Sequence, residues 1–225
     1  MAEPTDARAT DLTTKRAVAG AFVLGGSARV LLPVVAVLVT IRLALGGWGR
    51  GDVAVLLAVI AITGFVEWFI HLLVLHASPD AWTSRRLGTG AGHRNHHLDP
   101  PELRWLMLPA ADAAIFVVVL AIFSATWAVP LAWAIGGAVV ESAVTAIALA
   151  AIGLAHYEWT HLLIHSAYRP RSGYYARLAR NHRLHHYRNE RYWLGISSNL
   201  GDRALRTLPA DRSAVPLSET ARTLG

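Results

Sequence analysis

The chain has 225 residues, of which 54% are hydrophobic and only 16% are charged, with a net charge of +6. Soluble domains usually carry charge on about a quarter of their residues, so this composition favours a membrane protein. The chain contains no cysteine, which excludes disulfides and thiolate metal sites. Its basic residues flank long apolar runs, a pattern that argues against nucleic-acid binding.

The N-terminal residues carry acids among the basic residues and lack the layout of a secretion signal. We predict that residues 1–28 form a flexible or interfacial lead-in. Residues 29–208 are predicted to form the membrane-bound domain, and residues 209–225 a C-terminal tail.

Four apolar segments predict four transmembrane helices, since a helix needs about 20 residues to cross a bilayer. The predicted spans cover about residues 30–46, 53–75, 110–129 and 131–155. Pro130 is expected to end the third helix, because proline lacks the backbone N–H that continues a helix. The predicted fold is all-α, an integral membrane four-helix bundle made of two transmembrane hairpins.

The charges of the connecting segments predict the orientation in the membrane. The connector between the first two spans has one arginine, and the connector between the last two has no charge. By contrast, residues 76–107 contain four arginines and residues 169–225 contain eleven. Because positive residues mark the cytoplasmic side, we predict that both termini are cytoplasmic. Residues 76–107 and 156–208 would then form a cytoplasmic helical cap.

Ten histidines form two sets with the same plan. Each set has a pair and, 17 positions after the second member of the pair, a His-x-x-His-His triplet. The pairs are His71 with His76 and His161 with His165; the triplets are His93, His96, His97 and His182, His185, His186. The chain therefore contains two units of about 90 residues. An even number of spans in each unit places both histidine sets on one face of the membrane.

Helical geometry predicts how these histidines are arranged. With 100° per residue, members of a triplet at positions i, i+3 and i+4 should point to one side of their helix. His161 and His165 also share a side. His71 and His76 are about 140° apart on a regular helix. That pair requires either a distorted turn or a different metal for each ring.

The number of imidazoles predicts a site for two metal ions. Imidazole nitrogen suits zinc, copper, iron and nickel, and a structural zinc needs only four ligands. Ten histidines suffice for two metals with about five nitrogens each and with open positions for dioxygen. We expect iron, because zinc has no redox chemistry, although zinc can replace it in a purified sample.

Three carboxylates and one further histidine lie in or beside the apolar segments. Glu67 and Glu158 precede the two pairs by about one turn, so we predict that each holds an imidazole N–H. Glu141, inside the fourth span, either lines a substrate passage or braces the bundle. His156 is expected not to be a ligand.

The same motifs resemble those of the fatty acid hydroxylase superfamily, also described as sterol desaturase-like, over about residues 60–208. The resemblance rests on the pair at His71, the triplet at His93, "YEWTHLLIH" from Tyr157 and "HRLHHYRNERYWLGISSNLGDRALRTLP" from His182. The last string contains the closing residues Trp193, Gly195, Asp202, Arg203 and Thr207. Some relatives have a histidine where this chain has Ser166, so no role is assigned there.

The resemblance implies a membrane-embedded non-haem di-iron oxygenase. Such an enzyme uses O2 and two electrons to hydroxylate or desaturate a lipid, with a fatty acyl chain the expected substrate. The family's ligands correspond to the ten histidines. A fused cytochrome b5 does not fit in this chain, so a separate ferredoxin, cytochrome or reductase is the expected donor. The arginine-rich face could bind either an acidic donor or anionic lipid headgroups.

Other functions remain open at this point. A carotenoid or sterol hydroxylase or desaturase would use the same ligands. A histidine-rich metal transporter is the alternative from another class, although its site would usually lie near the bilayer midplane. A zinc hydrolase would need His-Glu-x-x-His, which does not occur. A ferritin-type site needs two Glu-x-x-His motifs, and only Glu158 and His161 form one.

Overall fold

The computed structural model describes residues 7–88 and 90–224, and the regular secondary structure in these residues is helical. Ten α-helices occur in them: α1 Lys15–Leu24, α2 Gly26–Leu45, α3 Arg50–Ile70, α4 Trp82–Leu87, α5 Ala91–Leu98, α6 Leu103–Leu106, α7 Ala110–Ala134, α8 Val139–His165, α9 Gly173–Tyr187 and α10 Leu200–Ala204. A π-helical turn, His71–Leu75, directly follows α3. Within the described ranges, the β-type pairing is an isolated bridge between Arg8 and Glu102. The prediction of an all-α chain is therefore confirmed.

Four helical segments are long and apolar enough to cross a membrane. They are Gly26–Leu45, Arg50–Leu75, Leu103–Ala134 and Val139–His165. Between 11% and 28% of the most apolar window of each segment is buried within the protein. Most of this apolar surface is therefore available to lipid tails, as expected for membrane-spanning helices.

The third span does not end at Pro130, as the sequence predicted. Helix α7 continues through Pro130 to Ala134. Gly136, just beyond the end of the helix, has a φ of +62°, and the N–H of Gly137 donates to the carbonyl of Ala132 at 2.8 Å. This is the usual glycine-terminated helix end. Pro130 removes only one hydrogen bond near the last turn, and transmembrane helices tolerate that loss.

The chain packs as two units, which divide within α1, α3 and α8. One unit contains residues 22–63 and 108–158. Its core is built around Val55, Ala128 and Ala146. A buried ion pair also lies in this unit, with the Nη2 atom of Arg42 2.7 Å from the Oδ1 atom of Asp52. Small residues at the core let helices approach closely, as is common between membrane helices.

Of the described residues, the other unit contains 7–21, 64–88, 90–107 and 159–224, and it holds all ten candidate ligands. Residues 7–21 of the predicted lead-in make ordered contacts in this unit. The N–H of Ala9 donates to the carbonyl of Pro101 at 2.7 Å, and Arg8 pairs with Asp99. The C-terminal tail also packs here, with Val215 and Ala221 buried. Residues 1–6 of the predicted lead-in lie outside the described residues.

Candidate metal centre

Four helical segments carry the ten histidines. The first pair lies at the junction of α3 and the π-helical turn, and the second pair lies in the last turns of α8. The triplets lie on α5 and α9. The turn after α3 supplies the distortion that the first pair requires, because the N–H of His76 donates to the carbonyl of His71, five residues earlier, at 3.1 Å. The two rings are consequently 4.8 Å apart.

The structure gathers the ten histidines into two groups of five. The first group comprises His71, His76, His93, His97 and His185. The second group comprises His96, His161, His165, His182 and His186. Within each group, the potential ligand nitrogens all lie within 4.8 Å of one another. His156 belongs to neither group.

Each triplet is divided between the two groups, although its three positions lie on one side of the helix. The middle histidine of each triplet joins the group dominated by the other half of the chain: His96 joins the second group, and His185 joins the first. Positions i and i+4 are about 40° apart on a helix, whereas position i+3 lies about 60° from i in the opposite direction. A single helix can therefore serve two neighbouring centres.

The spacing of the ring nitrogens in the first group fits a metal ion at their centre. The Nε2 atom of His93 lies 3.1 Å from Nε2 of both His71 and His76. One imidazole nitrogen is either a single donor or a single acceptor, so it cannot form a good hydrogen bond with both neighbours. With metal–nitrogen bonds of about 2.1 Å, ligands at right angles are about 3 Å apart. The observed distances fit nitrogens arranged around a metal ion.

The second group has the same spacing. The Nε2 atom of His182 lies 2.8 Å from that of His165 and 2.9 Å from that of His186. The Nε2 atom of His186 also lies 3.1 Å from that of His96. Four rings thus present the same nitrogen to one small volume. Either group can hold a metal ion.

Backbone carbonyls fix the orientation of several rings. The Nδ1 atoms of His71, His97, His161 and His185 lie 2.5, 2.7, 2.9 and 2.9 Å from the carbonyl oxygens of Leu194, Ala221, Leu106 and Tyr192, respectively. A hydrogen bond from Nδ1–H leaves the lone pair on Nε2, which is the arrangement of a metal-bound histidine. Within the described residues, the buried Nε2 atoms of His97 and His185 have no hydrogen-bond partner. A metal ion would satisfy both atoms.

Burial keeps these imidazoles neutral. It lowers the pKa of His97 to about 4, and it holds the pKa values of His93, His96 and His185 well below the usual range. Burial is the main cause of each lowered pKa because it disfavours the charged form, and neighbouring histidines add to it for His93, His96 and His185. Neutral imidazole is the form that binds metal. The centre is therefore ready to bind metal at neutral pH.

Neither predicted outer carboxylate contacts an imidazole, which corrects the sequence-based expectation. Glu67 accepts hydrogen bonds from the N–H of Ile196. It also accepts from the N–H and from the hydroxyl of Ser197, each at 2.7 Å. Glu158 accepts one from the N–H of Leu108 at 2.8 Å. Both carboxylates instead hold backbone segments near the carbonyls that orient His71 and His161.

An indentation of about 220 Å³ leads to the second group. Three of that group's histidines line it, His165, His182 and His186, together with Arg183 and Tyr187. Arg183 is exposed, as are Arg177 and Arg180 on the same helix. The second group is thus reached beside an exposed, arginine-rich stretch of α9.

Comparison with known proteins agrees with this geometry. A family model described as fatty acid hydroxylase matches residues 55–207. This chain belongs to the fatty acid hydroxylase family. All ten candidate ligands fall within the matched residues. The recognised resemblance is therefore confirmed.

Two relatives within the fatty acid hydroxylase family are described as fatty acid 2-hydroxylase. The protein from Macaca fascicularis is 27% identical over 151 residues, which cover 66% of this chain and 38% of the relative. The protein from Homo sapiens is 26% identical over 149 residues, which cover 65% and 37%. The chain thus spans less than two-fifths of the length of these relatives.

A solved structure of full-length scs7p, in which only the hydroxylase domain is visible, has a similar fold. The TM-score is 0.61 with 22% sequence identity, and the match covers 94% of this chain and 71% of the other. This likeness supports the family's helical fold for the chain.

Proposed function

We propose that this chain is a membrane-bound non-haem di-iron oxygenase that hydroxylates a C–H bond of a lipid, with a fatty acyl chain as substrate. The observation that carries the proposal is the pair of buried five-histidine groups, whose nitrogens converge within 4.8 Å. In this reaction one atom of O2 is inserted into the C–H bond. The other atom is reduced to water, which consumes two electrons and two protons. Two bound iron ions would supply the dioxygen chemistry.

The protein's own contribution is to position the groups and keep the site dry. Leu194 and Ala221 orient His71 and His97 through their carbonyls. The described side chains of both groups are buried or nearly so. The five histidines of each group would hold one ion, and a water-poor surrounding limits side reactions of reactive oxygen. Apolar spans would hold the acyl chain.

Lipid profiling tests the reaction and the substrate class together. A host that expresses the chain should accumulate acyl chains heavier by one oxygen atom, whereas a host that expresses His185→Ala should not. His156→Ala is the matched control, since His156 lies on α8 outside both groups. Oxygen added to a carotenoid or sterol would instead support the alternative substrates. Metal flux into proteoliposomes without lipid oxidation would support a transporter and contradict the oxygenase.

Electrons are proposed to come from a separate acidic protein that binds the exposed arginines of α9. Arg177, Arg180 and Arg183 are exposed, and Arg183 also lines the indentation that reaches the second histidine group. Complementary charge accelerates such encounters and makes them depend on salt. Arg180→Glu should slow reduction by an acidic ferredoxin or cytochrome, while Arg212→Glu should not. Loss of anionic-lipid binding without slower reduction would instead favour a headgroup site.

We further propose that the metal centre and both termini face the cytoplasm, as the arginine distribution predicts. Because the chain contains no cysteine, single-cysteine variants can report the orientation directly. Arg171→Cys and Trp48→Cys place a thiol at exposed positions on either side of the predicted spans. In intact cells, a membrane-impermeant maleimide should label the variant at 48 and spare the variant at 171. The reverse pattern would overturn the orientation.

A further inference from the structure

The C-terminal strap, residues 211–224, reaches the first histidine group although it lies beyond the residues that match the family. Its Ala221 is 3% exposed, and the carbonyl of Ala221 lies 2.7 Å from Nδ1 of His97. His97 belongs to the first group, and among the described residues its buried Nε2 atom has no hydrogen-bond partner. One backbone carbonyl of the strap therefore fixes the orientation of one candidate ligand.

Arg222 fastens the strap to the helix that carries His97. Its Nε atom donates to the carbonyl of His97 at 3.0 Å, and its Nη2 atom donates to the carbonyl of Leu98 at 2.6 Å. These carbonyls belong to the last residues of α5, where a cation is also favoured by the helix dipole. The contact therefore acts on both parts of His97. Ala221 orients its ring, and Arg222 holds its backbone carbonyl.

The other end of the strap is fastened just after α9, the helix that supplies His185. The N–H of Ser218 donates to the carbonyl of Arg188 at 2.8 Å. The Nε atom of Arg188 donates to the carbonyl of Val215 at 2.7 Å. The hydroxyl of Thr220 donates to the carboxylate of Glu190 at 2.8 Å. The strap therefore links the two helices that contribute His93, His97 and His185 to the first group.

We propose that the strap positions the first metal ion through His97, with Arg222 as the positioning residue. This inference rests on the proposed function, because it concerns the metal ions of that centre. The hydrogen bond from His97 to Ala221 keeps the proton on Nδ1 and aims the Nε2 lone pair at the metal. Outer partners of this kind typically change metal affinity by about ten- to a hundredfold when they are lost. The second group makes no use of His97, so its affinity should not change.

The test uses the full chain in detergent, titrated with zinc after removal of bound metal. Arg222→Ala should weaken one of the two zinc sites by about tenfold or more and leave the other unchanged. Arg222→Lys keeps the charge and can donate to one carbonyl, so it should restore part of that affinity. Arg212→Ala is the matched control, because it removes the same charge from an exposed position of the strap. It should bind zinc as the unaltered chain does.

A second measurement reports the ring of His97 directly. In the zinc-loaded, 15N-histidine-labelled protein, the Nδ1–H of His97 should exchange slowly with solvent, and Arg222→Ala should speed this exchange at least tenfold. Thr220→Val, which removes the contact with Glu190, should act in the same direction if Arg222→Ala fails to fold. Equal weakening of both sites, or unchanged zinc affinity and exchange in Arg222→Ala, would overturn the role of the strap. An unaltered chain that binds no metal would instead refute the proposed function itself.

Discussion

The Nε2 atom of His96 lies 3.1 Å from that of His186, although 90 positions separate them in the chain. His97, the next residue after His96, belongs to the other group. Adjacent histidines on α5 thus serve different centres, and the same holds for His185 and His186 on α9. Neither centre can be completed by one half of the chain.

This exchange predicts which ion each substitution removes. His96→Ala should weaken the second site, and His185→Ala the first, because each ring is the single ligand that its group receives from the other half. Both variants should lower bound metal and abolish turnover. Metal analysis together with lipid profiling checks this, with His156→Ala as the control. Full activity in both variants would reject the assignment of the ligands.

The sequence predicted the spans and the ten converging histidines, because both depend on residue type and spacing. An apolar segment can still cross a bilayer when its first or last residue is moved along the chain. The sequence therefore predicted the presence of the helices better than their ends. The spacing of His71 and His76 predicted either a distorted turn or a separate metal for each ring, and the π-helical turn is that distortion.

The partners of the ligands could not be predicted in the same way. Leu194, Ala221 and Tyr192 act through backbone carbonyls, which every residue type possesses. Glu67 was recognised as a carboxylate near the ligands, yet it accepts from backbone N–H groups some 130 positions away. A sequence shows that a carboxylate needs donors, but it does not show which loop provides them.

Glu67 should be required for the loop that orients His71. Glu67→Leu removes both acceptor oxygens, which leaves the N–H groups of Ile196 and Ser197 without their acceptor. A buried donor left without an acceptor should destabilise the protein by about 1–3 kcal/mol. Zinc affinity at the first site should also decrease, since the carbonyl of Leu194 lies in the same loop. Thermal unfolding in detergent with metal titration measures both effects. Glu141→Leu, at a partly exposed position, should change neither, and equal effects of the two variants would contradict this role.

Gly195 should tolerate no side chain. A Cβ atom there would clash with the carbonyl oxygen of Ser198 and lie 2.9 Å from Oδ2 of Asp202. That carboxylate accepts a hydrogen bond from the N–H of Gly195 at 2.8 Å, so the backbone cannot move away without losing it. Gly195→Ala should therefore lower the melting temperature and weaken the first metal site. Gly20→Ala, in open space on α1, should instead stabilise the protein by up to about 1 kcal/mol. Similar melting temperatures for the two variants would show that the loop is not constrained.

Removing one partner of the buried ion pair between Arg42 and Asp52 should destabilise the protein more than removing both. The side chains are 4% and 8% exposed, and the Oδ1 atom of Asp52 also accepts from the hydroxyl of Thr145 at 2.5 Å. Arg42→Met leaves the carboxylate buried without its cation, which typically destabilises a protein by about 3–5 kcal/mol. Arg42→Met combined with Asp52→Leu removes both charges and should recover most of that loss. Unfolding in detergent measures the two variants side by side, with Arg50→Met, an exposed arginine, as the control. A double variant no more stable than Arg42→Met alone would mean that packing around these side chains matters more than the unpaired charge.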